Sequence, residues 1–244
     1  MHLRDKMLMD RQQLMEQGPI TIVAFGDSVT HGAFSLGEID QESAYWNILK
    51  KRILQIRNYV PINVINAGIG GCCAKDSVER MDSQVLKHDP DLLIVAFGLN
   101  DVNGSLEDYL NALKAIFEKS LQAGIDTIFM TPNMLNTYVA EDTDESLKEY
   151  AGKTAQMQTS GRMDRYMQSA VSLAHEMGIA VCDCYEKWKK MSQTQDTTLL
   201  LANRINHPTK QMHHLFADCL FNTIFQENIQ SKSEQDSTMY EPKE

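Results

Sequence analysis

The run ITIVAFG (20–26), followed at once by Asp27-Ser28-Val29-Thr30, decides how the chain reads. It is apolar almost throughout and ends at a glycine, the pattern of a strand buried inside a sheet. Three similar runs follow, INVIN (62–66), DLLIVAFG (91–98) and IDTIFM (125–130), with a weaker fifth, IAVCD (179–183). Between and after them lie amphipathic stretches, 42–57, 76–88, 105–123, 160–177 and 208–226, whose spacing and composition predict helices. Strand and helix alternate almost strictly, which argues for a parallel sheet covered on both faces and joined by right-handed crossovers. The expected fold is α/β: a three-layer α/β/α sandwich around a parallel sheet of about five strands, flavodoxin-like in strand order by analogy.

Outside this rhythm, residues 3–17 are rich in Leu, Met, Gln, Arg and Glu and read as helix, stopped by Gly18-Pro19. The chain therefore divides into an N-terminal helical extension (1–18), one main domain (19–228) and a polar tail (229–244) that lacks periodicity and is expected to be mobile. Residues 133–160 are polar and acidic, longer than an ordinary connection in a compact domain. They read either as an active-site lid or as a solvated insertion. There is no internal repeat.

With 244 residues, 43% of them hydrophobic, the chain can bury one substantial core. A formal net charge of −10 repels phosphate backbones and anionic lipid surfaces, so neither nucleic acid nor a membrane is an expected partner. The first seventeen residues carry scattered charges and no apolar run of signal-peptide or membrane-span length, which makes the expected location cytoplasmic. Five cysteines, Cys72, Cys73, Cys182, Cys184 and Cys219, form an odd set without C-x-x-C pairs. They read as buried or half-buried thiols in a reducing compartment, with no disulfide framework and no metal expected.

In an open parallel sheet, ligands gather at the carboxyl ends of the strands. Gly26-Asp27-Ser28 follows the first strand, Asn66-Ala67-Gly68-Ile69-Gly70-Gly71 the second and Gly98-Leu99-Asn100-Asp101 the third. A hydroxyl, a glycine turn offering N–H groups and an amide side chain on adjacent strand ends are the parts needed to attack an acyl carbonyl. Taken alone, each block has a plain structural reading as a turn or a helix cap. Asp27 and Asp101 keep that reading, as carboxylates that accept backbone N–H groups beside helix starts. Cys72 and Cys73 offer a thiol alternative, with no base expected beside them.

Seven histidines could supply a base. His2, His88, His175, His213 and His214 fall in helices or at their ends, and His31 lies so near Ser28 on one short helix that reaching its hydroxyl demands tight geometry. His207 stands apart, in the loop Asn206-His207-Pro208-Thr209 ahead of the final helix.

Four blocks in order, GDS, NAGIGG, GLND and an H-P dipeptide before the last helix, resemble the SGNH (GDSL-type) hydrolase family over roughly residues 20–226. The resemblance implies Ser28 as nucleophile, His207 as base, and Ser28, Gly71 and Asn100 as oxyanion donors, with no metal or organic cofactor. Gly71 is chosen because the family's donor glycine follows the strand-ending Asn by five positions. The implied activity is that of an esterase on small carboxylic esters, including O-acetyl groups on sugars, through an acyl-enzyme. Thioesterase and lysophospholipase activities use the same parts, and a non-catalytic α/β binding module is the rival of another class.

One position departs from the family, which places an aspartate three residues before the histidine; here it is Arg204, a side chain with donors only. His207 is therefore expected to be oriented by a neutral acceptor, Asn203 first, then Asn206 or a backbone carbonyl. Asp183 and Asp196 are the carboxylates that could arrive from elsewhere.

Overall fold

A computed structural model describes residues 3–226, so His2 and the expected mobile tail lie outside the described residues. Two short helices, α1 (Leu3–Met7) and α2 (Arg11–Gln17), stand where one helix is expected. The break is a capping box: Asp10 accepts the Gln13 N–H at 2.9 Å, and the Gln13 side chain accepts the Asp10 N–H at 2.9 Å. Those bonds satisfy donors that a continuing helix would have to satisfy otherwise. Nor is this segment an appendage. Leu3 and Met7 are buried, Lys6 pairs with Asp91 at 2.9 Å, and the Arg4 side chain donates to the carbonyl of Ile224.

The chain then runs through β1 (Ile20–Gly26), α3 (Ser28–His31), α4 (Tyr45–Ile56) and β2 (Ile62–Gly68). Next come α5 (Ala74–Ser77), α6 (Met81–Gln84), β3 (Leu92–Ala96), α7 (Leu106–Gln122) and β4 (Asp126–Met130). The last elements are α8 (Lys148–Thr159), α9 (Arg162–Glu176), β5 (Ala180–Cys182), α10 (Cys184–Met191) and α11 (Lys210–Gln226). The strands form one parallel sheet in the order β2-β1-β3-β4-β5, with helices on both faces. That is the flavodoxin-like order, whose reversal beside β1 opens a crevice at the carboxyl edge. Register brings Gly26 level with both Gly68 and Ala96, so the chain leaves three neighbouring strands at one height.

β1 and β3 are almost wholly buried, as their apolar runs demand. α7, packed on β4 through Phe117 and Phe129, shows how a helix covers the sheet. Ser105 caps it by accepting the Asp108 N–H, and Tyr109, Ala112, Leu113, Ile116 and Phe117 recur on the buried face at helical spacing. Among the described residues, no helix is long and apolar enough to cross a membrane.

Three expectations are corrected. The helix expected over 76–88 is broken into α5, α6 and a single turn at Leu86–His88. At the break, Arg80 turns inward and donates to the carbonyls of Ala67 (2.7 Å) and Gly26 (3.2 Å), with its guanidinium 4.4 Å from the centre of the Phe25 ring. Secondly, α10 follows the fifth apolar run where no helix is expected, because Asp183 accepts the Glu186 N–H and starts a helix at Cys184.

Lastly, residues 133–160 are not a wholly solvated insertion, since exposure is concentrated over 138–149 and on the outer face of the helix that follows. Asn133, Asn136, Thr154 and Gln158 are buried, and α8 forms the second half of the stretch. Asn136 Nδ2 donates to the carbonyls of Tyr138 and Ala151, Thr154 Oγ1 donates to Asn136 Oδ1 at 2.6 Å, and Gln158 Oε1 accepts the Leu135 N–H. Most of these buried polar groups find partners inside the protein, Asn133 Oδ1 and Thr143 Oγ1 excepted, so a hydrophilic composition accompanies a packed strut.

Candidate active site

Ser28 is the first residue of α3, a one-turn helix capped by Asp27, whose Oδ1 accepts the Val29 N–H at 2.9 Å. The turn is pressed onto the end of β2: a Cβ on Gly68 would lie 2.4 Å from the His31 nitrogen, and one on Gly26 would lie 2.6 Å from the Ala96 carbonyl. Only glycine permits that approach. From the other side, the Thr30 and Tyr45 hydroxyls meet at 2.9 Å and Trp46 Nε1 donates to the Thr30 carbonyl. Ser28 therefore sits on a rigid shelf at the carboxyl edge of β1, 9% exposed.

His207 arrives from the loop before α11. Its Nε2 lies 2.9 Å from Ser28 Oγ, and its Nδ1 lies 2.9 Å from the carbonyl oxygen of Phe34. A carbonyl can only accept, so Nδ1 carries the proton and Nε2 presents a lone pair to the serine hydroxyl. Burial holds the imidazole pKa below its ordinary 6.5, while the Phe34 carbonyl opposes that shift. The ring is thus neutral near pH 7, the state able to accept a proton.

The neutral acceptor expected from Arg204 is present, but it is a main-chain oxygen in place of Asn203. Asn203 shapes the loop instead: its Oδ1 accepts the N–H groups of Ile205, Asn206 and His207 at 2.9–3.0 Å, and its Nδ2 donates to Asn206 Oδ1. Arg204, in the left-handed region at φ 58°, points away to Asp142 and to the carbonyls of Leu199 and Leu201. Asp183 accepts from Thr131 Oγ1 and caps α10, and Asp196 accepts from the Tyr138 hydroxyl. Neither carboxylate orients His207. The loop is also braced from the strut, where Asn133 Nδ2 donates to the Asn206 carbonyl and the Asn136 N–H to that of Ile205.

The glycine turn after β2 stands beside the serine, since a Cβ on Gly70 would come within 4.0 Å of Ser28 Cβ. Gly71 adopts φ +79°, and the turn is closed by Cys72 N–H donating to the Ile69 carbonyl. Asn100 Nδ2 donates to the Cys72 carbonyl at 3.0 Å, tying the end of β3 to this turn and leaving its second N–H for another acceptor. Among the described residues, the main-chain N–H groups of Ser28 and Gly71 have no acceptor.

Below the turn, Asp101 Oδ1 accepts the Ala74 N–H at 2.8 Å, the structural part expected of it. Burial raises Asp101 to about 6 and Asp27 to about 7, and the charge of Asp101 raises Asp27 further. The thiol alternative is weak at Cys73, whose pKa burial and its bond to Asp76 push up to about 12. Of the remaining described histidines, His31 is half-buried at the end of α3, His88, His175 and His214 lie on the surface, and His213 is buried with Nδ1 accepting the Tyr45 N–H.

Residues 24–215 match the GDSL-like lipase/acylhydrolase family. The chain belongs to that family. The fold recurs in Axe2, an acetylxylan esterase from Geobacillus stearothermophilus (TM-score 0.66, 20% identity, 84% of this chain and 94% of that one). It recurs also in the acetyl xylan esterase AlAXEase (0.66, 20%, 84% and 100%) and in LAE5, an alpha/beta hydrolase from the metagenome of Lake Arreo, Spain (0.64, 19%, 84% and 94%). At such identities the likeness concerns the fold. In sequence, the chain is 31% identical over 119 residues to the uncharacterized lipoprotein YqeF of Bacillus subtilis (strain 168), a match covering 45% of this chain and 47% of that protein. Membership accounts for the four motif blocks. The Phe34 carbonyl, the Asn203 turn and the Arg80 brace, by contrast, carry no motif and could be found only in three dimensions.

Proposed function

We propose that this GDSL-family protein is a serine hydrolase of small carboxylic esters, working through an acyl-enzyme on Ser28. The observation that carries the reading is the relay from Ser28 Oγ through His207 to the Phe34 carbonyl, with both hydrogen bonds at 2.9 Å. As Ser28 Oγ attacks the ester carbonyl, its proton passes to His207 Nε2. The new oxyanion receives the N–H groups of Ser28 and Gly71 and the free N–H of Asn100, donors fixed in place before the reaction begins. Collapse of the tetrahedral adduct breaks the bond to the alcohol, which leaves with the proton held by His207. Water then repeats the sequence on the acyl-enzyme: His207 takes its proton, the acid departs and Ser28 recovers its hydrogen.

A neutral acceptor fixes the tautomer as an aspartate would, but stabilises the imidazolium less. Turnover is accordingly modest. The names of Axe2 and AlAXEase, both acetyl xylan esterases, support acetyl groups on a sugar as the first substrate class to try. The surplus of negative charge favours uncharged substrates over anionic ones.

The test is labelling by a fluorophosphonate combined with p-nitrophenyl esters graded from acetate upward. The expected result is one label per chain, on Ser28, with the acetate and its short homologues turned over fastest. An unlabelled, inactive but folded protein would sink the proposal and favour a binding module.

A further inference from the structure

Away from Ser28, three cysteines converge in the core. Cys182 ends β5, Cys184 opens α10 and Cys219 lies on α11; all are buried, and their sulfurs lie within 4.8 Å of one another. Cys182 and Cys184 flank Asp183, and residues two apart along an extended chain point the same way, which brings their sulfurs to 3.6 Å. Sequence offered no hint, because C-x-C followed by a cysteine thirty-five positions on matches no familiar ligand spacing.

We propose that Cys182, Cys184 and Cys219 form a three-sulfur site for a soft monovalent cation, copper(I). The size fits: metal–sulfur bonds of about 2.3 Å place three trigonal sulfurs roughly 4 Å apart. Ligand type selects the metal. Among the described residues, no histidine or carboxylate joins the group. Structural zinc takes four ligands in a tetrahedron, whereas thiolate sulfur alone suits copper(I), which accepts three.

Each thiol that becomes a thiolate ligand releases its proton to solvent, and copper(I), together with the N-terminus of α10 at Cys184, offsets the negative charge that results. The ion would clamp α11, the helix that follows the His207 loop, to the edge of the sheet.

The test uses the full chain, reduced and kept free of oxygen, titrated with copper(I) as its acetonitrile complex against a chromogenic cuprous chelator. One copper per chain should be withheld from the chelator. Uptake should be lost in Cys219→Ala and in Cys184→Ala, and kept in a Cys72→Ala/Cys73→Ala double variant. Because an alanine could loosen the core, X-ray absorption on the copper-loaded natural sequence supplies a second reading, with three sulfur neighbours and no nitrogen or oxygen expected. Failure of the folded protein to withhold copper, uptake surviving Cys219→Ala, a shell of any other composition, or displacement of copper by equimolar zinc would each overturn the proposal.

Discussion

His207 Nδ1 is bonded to the carbonyl oxygen of Phe34, 173 positions away in the chain, at 2.9 Å. A side chain substituted elsewhere cannot remove that acceptor. Asp183→Asn and Asp196→Asn should therefore keep kcat/KM on a p-nitrophenyl ester within a few-fold of the natural sequence, while Ser28→Ala loses ester hydrolysis and stays folded. If either aspartate variant proves as dead as Ser28→Ala, a carboxylate must reach His207 during turnover, and the carbonyl relay is wrong.

Asn100 should matter in the transition state more than in binding. Losing one preorganised oxyanion donor costs on the order of a hundred- to a thousand-fold in turnover, so Asn100→Ala should lower kcat by about that much and leave KM nearly unchanged. A rise in KM alone would make Asn100 a substrate-binding residue.

The acid limb of the pH profile should report His207. Its reactive form is the neutral imidazole, and burial holds its pKa below 6.5, so kcat/KM should persist to lower pH than an unshifted histidine would allow and fall once the ring is protonated. The same sign governs stability: a depressed folded-state pKa favours the fold above the unfolded value and withdraws that support as pH falls. Rate profiles from pH 4 to 9 would check the first statement; an acid limb above 6.5 would contradict it.

Asp27 predicts the opposite slope. Its carboxyl is raised from 3.8 to about 7, so the fold is favoured while the group is protonated, and this support is lost as pH rises through about 7. The loss is at most about 1.4 kcal/mol per pH unit. Asp27→Asn keeps an oxygen for the Val29 N–H and cannot ionise. Its melting temperature relative to the natural sequence should therefore be more favourable at pH 8 than at pH 5, and a difference that does not vary with pH would refute the assignment.

Much of the fold was legible because β1, β3 and β4 are apolar runs suited only to the inside of a sheet, and the five runs match β1 to β5 within about two residues at each end. The site blocks were legible for a related reason, since a parallel sheet delivers Ser28, Gly71 and Asn100 to one edge. What could not be read was whatever depends on main-chain atoms or on polar side chains that satisfy one another. Phe34 offers a carbonyl, which every residue has. Asn133, Asn136, Thr154 and Gln158 look like solvated positions until their partners are seen. The cysteine group needed α11 laid against β5 before three separate positions became one place.

The origin of the His207 acceptor has a consequence for how this chain can drift. Any amino acid at position 34 supplies the same oxygen, so the relay constrains the path of the loop, while the buried Phe34 ring is held for a separate reason, its packing against His213. That path is held by the Asp40 N–H on the Gly32 carbonyl, the Phe34 N–H on that of Glu38, and Lys210 clasping Glu38 and Asp40 at 2.8 and 2.7 Å. Lys210 opens the helix that follows His207, so the two partners of the relay are moored to each other by a charge cluster on the protein's outside. Variation that loosens the relay without touching the motifs should accumulate in Gly32, Glu38, Asp40 and Lys210, where an alignment of motifs would not look.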